Sequence, residues 1–164
     1  MPRRSAVVGF SLAACLGAAL AMSQGVVPFR AFAHEGHVFA AGEPGDPKKP
    51  FRTVEITMSD GPGTMTYTPN KIEVRKGEQI KFVLKNTGYL AHEFLLDSLE
   101  NNAKHKIEMQ KNPEMEHDDP NGKRLEPKKS AEILWRFTKA GTFEFACLIP
   151  GHYETGMKGT IVVK

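Results

Sequence analysis

Beyond residue 50 the chain alternates apolar and polar positions in short runs, each closed by a cluster of turn-forming residues. Residues 52–58 set Val54, Ile56 and Met58 on one side and end at Ser59-Asp60-Gly61-Pro62-Gly63, a strong turn signal. Residues 65–68 make a weak strand, and 71–75 alternate through Ile72 and Val74. After a turn at Lys76-Gly77-Glu78, residues 79–85 place Ile80, Phe82 and Leu84 on one face. Asn86-Thr87-Gly88 then turns the chain into 89–96, a run that holds His92. Further strands are expected at 131–138, 142–148 and 159–163. Seven to eight short strands spaced by roughly ten residues predict an all-β, antiparallel sandwich.

One segment keeps a different period. Within 98–111, Leu99, Ala103 and Ile107 fall at i, i+4 and i+8 with polar residues between them. This spacing predicts a short amphipathic helix ending before Pro113. Residues 118–122 read as a loop, and 34–50, rich in Gly and Pro without any period, as a flexible N-terminal arm.

The first 33 residues belong to another class of sequence. Arg3 and Arg4 precede an almost wholly apolar run over 6–22, and Ala31-Phe32-Ala33 supplies a small-x-small cleavage signature. That order predicts a secretory signal peptide cleaved after Ala33, export to a bacterial periplasm, and no stable membrane insertion afterwards. Lipidation of Cys15 in Leu12-Ala13-Ala14-Cys15 and an uncleaved anchor are the alternatives, and Arg3-Arg4 leaves the Sec and twin-arginine routes both open. The domain plan is thus 1–33 signal peptide, 34–50 arm and 51–164 working domain.

Charge changes meaning once that leader is set apart. The whole chain carries 22 Lys and Arg against 19 Asp and Glu, but Arg3, Arg4 and Arg30 all lie in the leader, which has no acid. The remainder is formally neutral, which disfavours a nucleic-acid partner. Cys15 leaves with the leader too, so Cys147 is the one thiol of the working domain and an internal disulfide is excluded there.

Cys147, His152 and Met157 are spaced C-x4-H-x4-M across a loop between two expected strands, and His92 waits at the end of an earlier one. Two imidazoles, a thiolate and a weak thioether form the donor set of a trigonal blue-copper site, because soft sulfur suits Cu(I) and imidazole suits Cu(II). A zinc site of Cys147 and the two histidines is the other metal reading, although Met157 is a poor zinc ligand. A dinuclear copper centre would need a second cysteine, and a cysteine nucleophile would need a base that Phe145-Ala146-Cys147-Leu148-Ile149-Pro150 does not offer nearby.

Over residues 71–164 the chain resembles the cupredoxins, the plastocyanin and azurin family of small blue copper proteins. The resemblance is carried by Pro69-Asn70-Lys71-Ile72-Glu73-Val74, by Phe82-Val83-Leu84-Lys85-Asn86-Thr87-Gly88, by His92, and by Gly141-Thr142-Phe143-Glu144-Phe145-Ala146-Cys147 with His152 and Met157-Lys158-Gly159 behind it. It implies a Greek-key β-sandwich, here with a short helical insertion, and one type 1 copper near one end. His92, Cys147 and His152 would be the equatorial ligands and Met157 the axial one. The sequence departs from the pattern at Glu93, where plastocyanin-like chains usually place Asn. The segment between His92 and Trp135 is also longer than in plastocyanin and looks more like the cupredoxin-domain proteins of bacterial copper tolerance.

Two functions follow as expectations, neither of them enzymatic. The first is a monomeric one-electron carrier that docks a redox partner protein on an apolar rim of Leu148, Ile149, Pro150 and Tyr153 around His152. The second is copper tolerance by sequestration, with additional sites. His105 and Met109 are i, i+4 on the expected helix, Met115 and His117 follow in the acidic stretch, and His34 and His37 open the arm. A copper oxidase or nitrite reductase would need a second centre, commonly built from His-x-His pairs, which this sequence lacks.

Overall fold

The elements follow in the order β1 Glu43–Pro44, β2 Arg52–Gly61, β3 Thr64–Thr68, β4 Lys71–Val74, β5 Gln79–Asn86, β6 His92–Asp97, α1 Leu99–Lys111, β7 Gly122–Leu125, β8 Ser130–Arg136, β9 Gly141–Ala146 and β10 Lys158–Val163. This is a computed structural model that describes residues 39–113, 115 and 119–164. The strands form two five-stranded sheets, ordered β1-β8-β5-β2-β3 and β4-β10-β9-β6-β7.

The core lies between the sheets. The alternation of β5 buries Ile80, Phe82 and Leu84, and β2 turns Ile56 and Met58 the same way. Phe94, Leu96, Phe143, Phe145 and Ile161 fill the space from the second sheet. Strands β6 and β9 are covered on both faces, which is why all six residues of β6 are buried and its sequence shows no alternation. The outer cover comes from α1, whose Met109 packs with Leu95, Ala146 and Leu148.

The sandwich agrees with the expected fold class, and four local expectations change. The sheets are not purely antiparallel, since β2 runs parallel to β5 and β4 parallel to β10. Strand β7, read as loop and unassigned sequence, pairs along β6 as a polar edge carrying Lys123 and Arg124. Residues 39–50 do not hang free as an arm. Glu43 and Pro44 pair with Arg136 and Trp135, Ala41 is fully buried, and Phe39 meets Trp135 edge-on at 5.3 Å between centroids.

The fourth change is the phase of α1. Leu99, Ala103 and Ile107 face outward, and the buried positions are Asn102 and Met109. Polar contacts at the helix start set that rotation. Ser98 caps the helix by accepting from the Asn101 N–H at 3.1 Å, and Asp97 Oδ1 accepts from the Ser98 N–H at 2.7 Å and from Asn101 Nδ2 at 2.9 Å. Asn102 Nδ2 then donates to buried Glu144 Oε1 at 3.1 Å. Rotating α1 would separate Asn102 from Glu144, at a cost of about 1–3 kcal/mol for the buried polar groups left unpaired.

Candidate metal centre

One end of the sandwich gathers the four residues singled out by spacing. His92 opens β6, Cys147 follows the last residue of β9, His152 sits in the turn beyond it, and Met157 precedes β10. The chain between them is tied to itself. Cys147 N–H donates to Met157 O at 3.1 Å, Met157 N–H to His152 O at 3.2 Å, and His152 N–H to Ile149 O at 3.0 Å. A short loop closed by its own backbone leaves its side chains few alternative positions.

Within this frame His92 Nδ1 lies 3.4 Å from His152 Nδ1, and Cys147 Sγ lies 3.3 Å from His152 Nδ1. One donor atom from each of the three falls within 4.8 Å of the others, and among the described residues no other group of three His, Cys, Asp or Glu comes as close. Such separations suit a single ion bonded to nitrogen at about 2.0 Å and to sulfur at about 2.3 Å. His92, Cys147 and Met157 are fully buried and His152 is half-buried, so the site is shielded with one imidazole near the surface.

Burial pushes the Cys147 thiol up to about 12, against which the Glu93 N–H donating to Sγ at 3.3 Å works only in part. Without metal the group is therefore a thiol, and a bound cation must displace its proton. His152 is held below the ordinary histidine range, first by burial and then by the nearby His92 ring, which keeps it neutral and able to donate a lone pair.

The position after His92, where the family pattern has Asn, is used at all three of its polar groups. The N–H of Glu93 reaches Cys147 Sγ, its carbonyl accepts from the buried Tyr67 hydroxyl, and its Oε2 accepts from Leu148 N–H at 3.3 Å. Glu93 thus bridges β6, β3 and the segment of Cys147 and Leu148 that follows β9.

Asp60 supplies a contact that the sequence did not disclose. Its Oδ1 lies 2.9 Å from His92 Nε2, and its two oxygens accept from the Tyr89 N–H at 2.9 and 3.1 Å and from the Leu90 N–H at 3.3 Å. Burial alone would raise this carboxyl, but the bonds from Tyr89, His92 and Leu90 outweigh it and hold Asp60 below its ordinary value. Asn86 fixes the turn beneath, donating from Nδ2 to Leu90 O at 2.8 Å and to Leu125 O at 3.0 Å while Oδ1 accepts from Gly88 N–H at 2.9 Å. Ser59–Gly63 had the composition of a turn. In the fold, β2 continues through Gly61, and Asp60 stands in a strand opposite Met65.

The helix steadies the opposite side of the loop. Lys106 Nζ pairs with Glu154 at 3.0 Å, and the Lys106 and Lys158 ammonium groups lie 4.5 and 4.3 Å from the centroid of the Tyr153 ring. The Tyr153 hydroxyl donates to Glu144 Oε2 at 3.1 Å. Of the rim expected around His152, Ile149 and Tyr153 are half-buried and Pro150 is exposed, whereas Leu148 is fully buried and offers no surface. Tyr89 and Leu90, not anticipated, are exposed on the loop that leads into His92.

The additional metal positions fare differently. Met109 is 1% exposed and packs with Leu95, Ala146, Leu148 and Met115, so its thioether is part of a small apolar cluster. His105 lines a surface pocket of about 360 Å³ with Asp97, Asn102 and Asp119. His34, His37 and His117 lie outside the described residues, as do Cys15 and the expected cleavage site. Among the described residues, no helix is long and apolar enough to cross a membrane.

A two-sheet sandwich with a buried Cys-His-His cluster at one end is the architecture of a copper-binding cupredoxin. Residues 53–164 match the copper binding proteins of the plastocyanin/azurin family, and the chain belongs to that family. It is 50% identical over 123 residues to the copper-resistant cuproprotein CopI of Rubrivivax gelatinosus, covering 75% of this chain and 73% of that one. The copper-resistant cuproprotein CopI of Pseudomonas aeruginosa is 37% identical over 161 residues, covering 80% of this chain and 87% of that one. Among solved structures, auracyanin B superposes with a TM-score of 0.60 at 21% identity, over 77% of this chain and 98% of that one. Auracyanin from Roseiflexus castenholzii gives 0.58 at 24% identity, over 69% and 98%. These structures share the fold, and the bound metal of the family is copper.

Proposed function

We propose that this chain is an exported copper-tolerance protein, not an enzyme, in which His92, Cys147 and His152 would hold one copper, with the buried Met157 thioether as a weak fourth donor. The convergence of those three donor atoms in a shielded pocket carries the ligand assignment, and the kinship with copper-resistant cuproproteins supports the role. Bound there, copper supplies a one-electron Cu(II)/Cu(I) couple. The chain's own part is to offer a thiol that yields its proton only to a metal, an imidazole kept neutral by burial, and a loop whose backbone bonds are made before metal arrives. A preformed donor set of soft sulfur and imidazole suits copper in either oxidation state, because little needs to rearrange.

The test is complementation under copper stress. In cells lacking the gene, the wild-type chain restores growth in copper and Cys147→Ser does not. Equal rescue by Cys147→Ser would overturn the reading.

A second reading, one-electron transfer to a redox partner protein, draws on a different observation. His152 is half-buried, with Pro150, Tyr89 and Leu90 exposed at this end of the sandwich, and small apolar surfaces of this kind suit transient docking. Electron self-exchange that slows markedly in Pro150→Glu at unchanged copper content would support it, and an unchanged rate would count against it.

A further inference from the structure

We infer that Asp60 is a positioning residue of the copper centre: its carboxylate fixes His92 as an Nδ1 donor and biases the site toward Cu(II) over Cu(I). The inference rests on the ligand assignment proposed above. A neutral imidazole carries one N–H, and the partner of one ring nitrogen decides what the other can do. Asp60 Oδ1, 2.9 Å from Nε2, is an acceptor, so the proton sits on Nε2. The Nδ1 lone pair is then left facing His152 Nδ1 at 3.4 Å, on the side of Cys147.

The contact is built into the fold. Asp60 reaches across from β2, and the backbone N–H groups of Tyr89 and Leu90 hold its oxygens. Gly88 makes room, since a Cβ there would stand 1.7 Å from Asp60 Oδ1 and 2.7 Å from its Cγ. Any side chain at 88 would therefore evict the carboxylate. Neither the His92 side chain, 0% exposed, nor that of Asp60, 11% exposed, leaves much room for water to substitute.

Two physical effects act in one direction. A carboxylate accepting the Nε2 proton raises electron density on the ring and strengthens Nδ1 as a donor, and the harder Cu(II) gains more from this than Cu(I). The negative charge also offsets the extra positive charge of the oxidised site, in a shielded place where the field is weakly screened.

The experiment compares wild type, Asp60→Asn, Asp60→Ala and Gly88→Ala as full chains, each titrated with Cu(II) and with Cu(I). Asn keeps an acceptor oxygen and loses the charge. The expected result for Asp60→Asn is a Cys147-dependent charge-transfer band that persists while the Cu(II)-to-Cu(I) affinity ratio falls about tenfold, a rise of about 59 mV for one electron. Asp60→Ala and Gly88→Ala lose about 10–100-fold in Cu(II) affinity. In the metal-free chain, nitrogen NMR finds His92 protonated on Nε2. If Asp60→Asn lowers only the melting temperature and leaves the affinity ratio within twofold of wild type, Asp60 merely caps the loop and the inference is overturned. A His92 proton on Nδ1 overturns it as well. A wild-type chain whose copper spectrum does not depend on Cys147 overturns the ligand assignment, and this inference with it.

Discussion

Gly159 faces Phe145 across the β9–β10 ladder, and the aromatic ring lies directly over the space where a side chain would stand. A Cβ at 159 would meet Phe145 Cζ at 2.1 Å, Cε2 at 2.5 Å and Cε1 at 2.7 Å. The ring has nowhere to retreat. It is stacked on Phe94 with centroids 5.2 Å apart and an angle of 25°, and it meets Tyr67 edge-on at 5.1 Å. Overpacking of a filled core costs about 1–3 kcal/mol, and contacts this short place Gly159→Ala at the upper end. Losing the conformational freedom of glycine in the unfolded chain returns about 0.5–1 kcal/mol. The net expectation is a loss of about 2 kcal/mol, or about 8 °C in Tm at about 4 °C per kcal/mol for a domain of this size. Gly61→Ala is the control, because the nearest atom to a Cβ there is Thr64 Oγ1 at 3.7 Å; Tm should hold or rise slightly. Thermal unfolding of both variants, and of Gly159→Ala combined with Phe145→Leu, separates the causes. If the ring is the obstacle, trimming it recovers about 1 kcal/mol relative to additivity. A Gly159→Ala protein within 1 °C of wild type, or a strictly additive double variant, would refute the reasoning.

Other substitutions address separate contacts. Tyr67→Phe removes the hydroxyl that donates to Glu93 O, and is expected to cost about 1 kcal/mol in denaturant titration and to shift the copper charge-transfer band through Glu93 and Cys147; an unchanged band and midpoint would contradict this. Met109→Leu, a volume-conserving exchange in a buried cluster, should cost under about 1.5 kcal/mol and leave the number of bound coppers unchanged; a lower number by metal analysis would give the Met109 thioether a binding role. Burial raises Glu78, but its bonds to Arg52 at 2.7 Å and to Arg75 N–H at 2.8 Å outweigh that and hold it below 4.5. The folded state therefore favours its charged form, which adds stability above pH 4.5 that disappears as pH falls through the folded value. Glu78→Gln should flatten the acid limb of the stability curve by up to about 1 kcal/mol, and an identical limb would show that the pair contributes nothing.

How much of this was readable in the sequence depended on the range over which each signal acts. Strand β5 was legible because Ile80, Phe82 and Leu84 alternate against one core, and alternation is a local property. Strand β1 is two residues long and β7 is a polar edge, so neither carries a hydrophobic period. The rotation of α1 is hidden from its sequence because Leu99, Ala103 and Ile107 form the stronger apolar pattern, whereas the Ser98 cap and the Asn102–Glu144 contact accompany the observed phase. Three of the four proposed ligands lie on one loop, where their spacing announces them. Asp60 meets His92 across 32 positions, and its surroundings in sequence are those of an ordinary turn. Glu93 looked like a departure from a pattern until its three polar groups were seen to bridge Cys147, Tyr67 and Leu148.

The central claim is that Cys147, His92 and His152 together hold one copper. It is tested most directly by titrating the metal-free full chain with Cu(II) while recording visible absorption and electron paramagnetic resonance, in parallel with Cys147→Ser. The account predicts an intense thiolate-to-copper band and a narrow copper hyperfine splitting, both complete at one copper per chain and both absent from Cys147→Ser. A colourless complex, or a coloured one unchanged in Cys147→Ser, would contradict it.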